Sequence, residues 1–71
     1  MTAEEIRRNW CAALEHCADV REISCALKWG FSERDLQQLR AMYRAGLHRA
    51  KIIGLLVDCN YHSEARALEG E

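Results

Sequence analysis

Apolar residues recur along this chain in alternating steps of four and three. Ile6, Trp10, Ala13, Cys17, Val20, Ser24 and Leu27 form one such series, and Leu36, Leu39, Tyr43, Gly46, Ala50, Ile53 and Val57 form a second. That is heptad spacing, the period of helices that supercoil together. No strand-like alternation persists. Proline is absent, and the good helix formers Ala, Leu, Arg and Glu dominate. Almost nothing interrupts helix until Trp29-Gly30-Phe31-Ser32.

The ends can be read from capping chemistry. Thr2 suits an N-cap, with Glu5 completing a capping box, so helix 1 is predicted over about 3–29. Gly30 suits the left-handed residue that closes a helix. Ser32 then caps helix 2, with Asp35 at the third helical position and Phe31 placed to staple onto Leu36. Helix 2 is predicted over about 33–60 and a tail over 61–71, in which Ser63 can cap a last turn. So short a connection favours antiparallel neighbours. The expected fold is all-α: an antiparallel two-helix, coiled-coil-like hairpin with a short C-terminal helical turn or tail, all in one domain. Folded at Gly30, the seam would join Leu27 to Leu36, Val20 to Tyr43 and Trp10 to Ile53. Ala13 and Cys17 would face Gly46 and Ala50. Gly46 inside a helix costs about 1 kcal/mol relative to Ala, which close approach of the helices would offset. Cys17-Ala18-Asp19 leaves a second course open, a break with Asp19 starting a separate helix.

This seam does not use all the apolar surface. Helix 2 also carries Met42, Leu47, Ile52, Leu55, Leu56 and Cys59, and helix 1 carries Leu14, Ile23 and Trp29. A two-helix hairpin cannot cover a second stripe by itself. The stripe calls for a third helix, a second copy or a groove on another protein. Leu14, Ile23, Met42, Ile52, Leu56 and Cys59 are the candidate partner-binding residues. The competing reading is a self-contained core wrapped by the tail, which offers little beyond Tyr61 and Leu68.

Size sharpens the need for a partner. At 71 residues, a lone core rarely supplies more than about 3–5 kcal/mol, and small proteins usually add disulfides, a metal or a second chain. The cysteines are Cys11, Cys17, Cys25 and Cys59. Met1–Ile6 is polar and acidic, without the apolar run of an export signal. Reduced thiols and a cytoplasmic location are therefore expected. Three of the thiols fall on helix 1, too far apart along a rod to bridge. They read as small core residues. No Cys-x-x-Cys or His-x-x-x-His pair occurs, and Cys59 with His62 makes only two ligands, so neither metal nor cofactor is expected. The longest apolar run, Ile52 to Val57, is far too short to span a bilayer. Net charge is −1 with 30% charged residues, which argues against a strong nucleic-acid footprint.

No nucleophile–base set is recoverable: His16 and Cys17 point to different helix faces. No glycine-rich phosphate loop occurs, and enzymatic activity is not expected. Arg40, Arg44, His48 and Lys51 line one face of helix 2. They suit either an acidic partner or RNA, or else a solvated face balanced by Glu33, Asp35, Glu15, Asp19 and Glu22. A helix-turn-helix reading of Arg44–Leu47 followed by Ile52–Leu56 fails for want of apolar anchors in Asn60–Leu68.

Two resemblances follow. Asp35-Leu36-Gln37-Gln38, Arg44-Ala45, Lys51-Ile52-Ile53-Gly54-Leu55-Leu56 and Tyr61-His62-Ser63 align without gaps with the YscE/PscE/SsaE-like cochaperones of type III secretion needle subunits, nearest the SsaE branch. That resemblance implies a cytoplasmic bacterial virulence chaperone. It would pack on a tetratricopeptide-type cochaperone and keep the needle subunit unpolymerised, with homo-oligomers possible when alone. Met42-Tyr43-Arg44-Ala45-Gly46-Leu47-His48-Arg49-Ala50 is similar to a segment of the Hha/Cnu-like nucleoid modulators. These are small helical proteins that bind H-NS, with short helices separated by loops and a C-terminal Trp-containing segment that is missing here. A Rop-like homodimeric hairpin binding RNA fits the heptads and the Arg stripe without a sequence match.

Overall fold

The computed structural model describes residues 2–16, 19–27 and 31–71. Along them run α1 (Ala3–His16), α2 (Val20–Ala26), α3 (Glu33–Arg44), α4 (Arg49–Asp58) and α5 (His62–Glu69). The described residues are all-α, as the periodicity requires, but the two long rods are absent. The region expected as helix 1 holds α1 and α2, and the region expected as helix 2 holds α3 and α4. A helix over 3–29 would be about 40 Å long, whereas the molecule measures 28 × 24 × 19 Å. Cys17, Trp29 and Gly30, assigned to the seam, the spare stripe and the corner, lie outside the described residues.

Several helix boundaries have a local cause. Asp19 is the N-cap of α2, its Oδ1 accepting from the backbone N–H groups of Arg21 (2.8 Å) and Glu22 (3.2 Å). α3 ends in a Schellman motif. Gly46 takes φ +82°, the Gly46 N–H donates to the Tyr43 carbonyl and the Leu47 N–H to the Met42 carbonyl, both at 3.0 Å. Gly46 is thus a helix terminator, not the close-packed interior glycine that the heptads suggested. Nothing lies within 4 Å of where its Cβ would stand. α4 ends the same way on Asn60 at φ +66°, with Asn60 N–H on the Val57 carbonyl (3.1 Å) and Tyr61 N–H on the Leu56 carbonyl (2.7 Å). The stop at Asn60 is where the sequence puts it.

The cap of α3 is a tertiary junction as well. The Ser32 hydroxyl accepts from Asp35 N–H (3.3 Å), and Asp35 Oδ2 accepts from Ser32 N–H and its hydroxyl (both 2.7 Å). Asp35 Oδ1 accepts from the indole N–H of Trp10 on α1 at 2.8 Å. Asp35 and Trp10 are both buried, and such a carboxylate is tolerable because its oxygens are hydrogen-bonded. Phe31 meets the Trp10 ring edge-on (5.5 Å) and stacks on Tyr61 (4.7 Å).

α1 packs on α3, α2 on α4, and α4 also on α3 and α5. The core comprises Ile6, Trp10 and Leu14 of α1, Ile23 of α2, Leu36, Leu39 and Met42 of α3, Ile52, Leu55 and Leu56 of α4, and Ala65 and Leu68 of α5. The stripe expected to await a partner is therefore covered by the chain itself. Leu14, Ile23, Met42, Ile52 and Leu56 are buried and Cys59 is half-buried. The accessible surface, 4619 Å², is close to the roughly 4,500 Å² of a self-contained monomer of this mass.

Candidate protein-docking face

Of the expected seam, Ile6, Trp10, Leu36 and Leu39 are buried. Ala13, Val20, Leu27, Tyr43 and Ile53 are partly buried, and Gly46, Ala50 and Val57 are exposed. On α4 the two faces have exchanged places relative to the heptad reading. A continuous helix would carry Tyr43 and Ile53 in one phase, but the left-handed corner at Gly46 restarts the helix. Ile52, Leu55 and Leu56 then turn inward. The heptads alone could not signal this; the dipeptide Gly46-Leu47 with Met42 behind it is the Schellman signature that could have.

The expected pairings change accordingly. Val20, expected against Tyr43, lies against Gly54: a Cβ added there would stand 3.0 Å from Val20 Cγ2. The small residue that lets two helices approach closely is therefore Gly54, between α2 and α4. Trp10, expected against Ile53, reaches Asp35 and Phe31 instead.

What remains outside on α4 is Ala50 and Val57, with half-buried Ile53 beside them and Gly54 at the border with α2. Val57 is 43% exposed, and with Leu47 it is a large apolar side chain left in solvent among the described residues. An open groove of about 510 Å³ runs along this side, floored by Ala50, Ile53 and Gly54 and bounded by Tyr43, Arg49 and Glu69. Arg49 is held over the Tyr43 ring at 4.7 Å while its Nε donates to the Tyr43 carbonyl at 3.0 Å. The rim is thus fixed and charged, the floor apolar: the make-up of a contact surface with a polar border. Such a surface can bind a helix or loop of another protein, but it presents no reactive constellation.

The basic stripe is mostly engaged within the chain. Arg40 forks onto Glu64 of α5 (Nε 3.0 Å, Nη2 2.6 Å) and lies 3.6 Å from Glu33. Arg44 forks onto Glu71 (2.8 and 2.6 Å). Lys51 Nζ donates to the Leu14 carbonyl in the last turn of α1 at 2.7 Å, where a cation suits the helix dipole. His48 stands at the left-handed start of α4. The Arg40 and Arg44 guanidiniums are held protonated beyond their ordinary range by the hydrogen bonds they donate to these carboxylates, and Glu71 titrates below the usual carboxylate range because Arg44 donates to it.

Cys11, Cys25 and Cys59 are free thiols. No three His, Cys, Asp or Glu side chains among the described residues are grouped to hold a metal ion, and no described helix is long and apolar enough to cross a membrane. No protein-family profile, no curated protein and no solved structure matches this chain.

Proposed function

We propose that this chain is a protein-binding adaptor of the Hha/Cnu-like kind, acting on an H-NS-type nucleoid protein through the outer side of α4. One observation carries the reading. Met42–Ala50, the stretch similar to those modulators, is the corner that divides the expected long helix into α3 and α4. Short helices separated by loops are what that family has, and the start of α2 at Asp19 adds a second such division. After α4 this chain continues into Tyr61 and α5.

The needle-cochaperone reading has less support. It asked for a continuous hairpin with a spare apolar stripe, and most of that stripe is core. The Rop-like reading asked for a free arginine face, and Arg40 and Arg44 are paired with carboxylates.

The test is a binding measurement on the full chain against purified H-NS and, separately, against a tetratricopeptide-type needle cochaperone. H-NS binding should weaken at least tenfold with Ala50→Glu plus Val57→Asp, two exposed changes expected to leave helicity intact. Binding to the repeat protein alone would instead favour the secretion reading. Binding to H-NS that these changes do not touch would move the docking face elsewhere.

A further inference from the structure

α4 has two apolar sides, and the core uses one of them. Ile52, Leu55 and Leu56 are buried, whereas Ala50 and Val57 stay exposed and Ile53 half-buried. Ala50, Ile53 and Val57 stand at steps of three and four, the spacing of a seam between two helices. The heptads of the sequence thus survive on the outside of α4, without the helix they would meet. Ala50, Ile53 and Gly54 floor the open groove on this side.

Whatever fills the groove must also suit its borders. Arg49 is fixed against Tyr43, by the ring contact at 4.7 Å and by its Nε on the Tyr43 carbonyl at 3.0 Å. Glu69, the last residue of α5, borders the same groove. Among the described residues, Arg49 meets no carboxylate and Glu69 meets no cation. A helical seam flanked by one spare cation and one spare carboxylate is complementary to itself. Consider a two-fold axis in the plane of the face, midway between the two charges and at right angles to the line joining them. It lays Arg49 of one protomer over Glu69 of its partner, and the reverse. The same rotation turns the apolar floor onto its own copy.

We propose that the outer side of α4 pairs with a second copy of this chain, α4 against α4, in a homodimer that covers the docking face until another protein takes it. The inference rests on reading this side as the docking face, not on which protein docks there. α4 has ten residues and is therefore about 15 Å long. An interface built on so short a helix lies at the small end of the range, where association is weak and reversible. The chain is thus a monomer when dilute and a dimer when concentrated, and only the monomer presents α4 to a partner.

The experiment is sedimentation equilibrium of the full chain at concentrations up to about 1 mM, high enough to populate a weak dimer. A reducing buffer excludes disulfide-linked dimers of the free thiols. Wild type should show a monomer–dimer equilibrium, and Val57→Asp should abolish it. Arg49→Glu and Glu69→Lys should each raise the dissociation constant about fivefold or more, since each turns two attractive pairs per dimer into two repulsive ones. Combining them restores the cross pairs with their signs exchanged, and should bring the constant back to within about twofold of wild type. A wild-type chain that stays monomeric throughout overturns the inference, whether or not it binds H-NS. Dimers indifferent to Val57→Asp overturn the assigned face, even if Arg49→Glu disturbs the corner before α4. A double variant weaker than either single one overturns the two-fold pairing. Dimerisation that follows the expected pattern in a chain that does not bind H-NS supports this inference and overturns only the H-NS reading.

Discussion

The starts of α3 and α4 solve the same problem in opposite ways. At α3 the free backbone N–H groups are met by side chains: Ser32 and Asp35 close a reciprocal box, and Asp35 extends it to Trp10, 25 residues earlier in the chain. At α4 no side chain caps the helix. The corner is set by backbone conformation, with Gly46 at φ +82° and His48 at φ +47°, and the Arg49 side chain reaches back across it to the Tyr43 carbonyl. The first junction ties a helix start to the core; the second only sets the direction and phase of the next helix. The side-chain junction should therefore be the expensive one to damage, and the backbone junction the one open to improvement.

Asp35→Ala should have the largest effect. It removes the N3 half of the box and leaves the buried Trp10 N–H without its acceptor, a combined loss of about 3 kcal/mol. In so small a core, worth about 3–5 kcal/mol, that should abolish most of the cooperative urea transition, followed by far-UV circular dichroism. A loss no larger than that of an ordinary surface substitution would show that the junction is merely local.

Gly46→Ala should come next. It forces an L-residue into the left-handed region and should cost about 1–2 kcal/mol, although no neighbour obstructs the new methyl. A helix-interior glycine would respond with the opposite sign, gaining about 1 kcal/mol, so the urea midpoint separates the two descriptions.

His48→Gly should be stabilising by about 0.5 kcal/mol, as relief of the left-handed strain slightly exceeds the added chain entropy. Thermal unfolding of the single variant checks the sign.

The smallest effect concerns Arg44, the last residue of α3 before the backbone corner. Its partner Glu71 has a lowered folded pKa. The pair's contribution is therefore fully present above the ordinary carboxylate range and is lost as pH falls through the lowered folded value. Glu71→Gln should slightly lower the melting temperature at neutral pH and leave it unchanged in acid below the lowered folded value, so that the acid limb of the melting temperature against pH is flatter.

Several features were legible because they are local. Thr2 accepts from Glu5 N–H at 3.2 Å, Ser32 and Asp35 form their box, and α4 stops at Asn60. Asp19 was readable as a cap, yet only its competition with a longer helix could decide the matter, and the capped start prevailed. Gly46 was legible too, but the heptad register drew it into a helix interior. The docking face was not legible: Ala50, Ile53 and Val57 fit a seam as well as they fit a surface.

The sequence by itself determined that the chain is helical, where the strong caps lie, and how many apolar residues must find cover. Each of these depends on neighbours within a turn or two, whose energetics do not require the rest of the fold. The tertiary structure decided which of two apolar stripes went inside. α4 is apolar on both sides, so the choice fell to the phase set at Gly46 and to the close approach of Val20 at Gly54. It also decided what the arginines face, because Arg40–Glu64, Arg44–Glu71 and Trp10–Asp35 join residues 24, 27 and 25 positions apart, separations over which no helical period carries information.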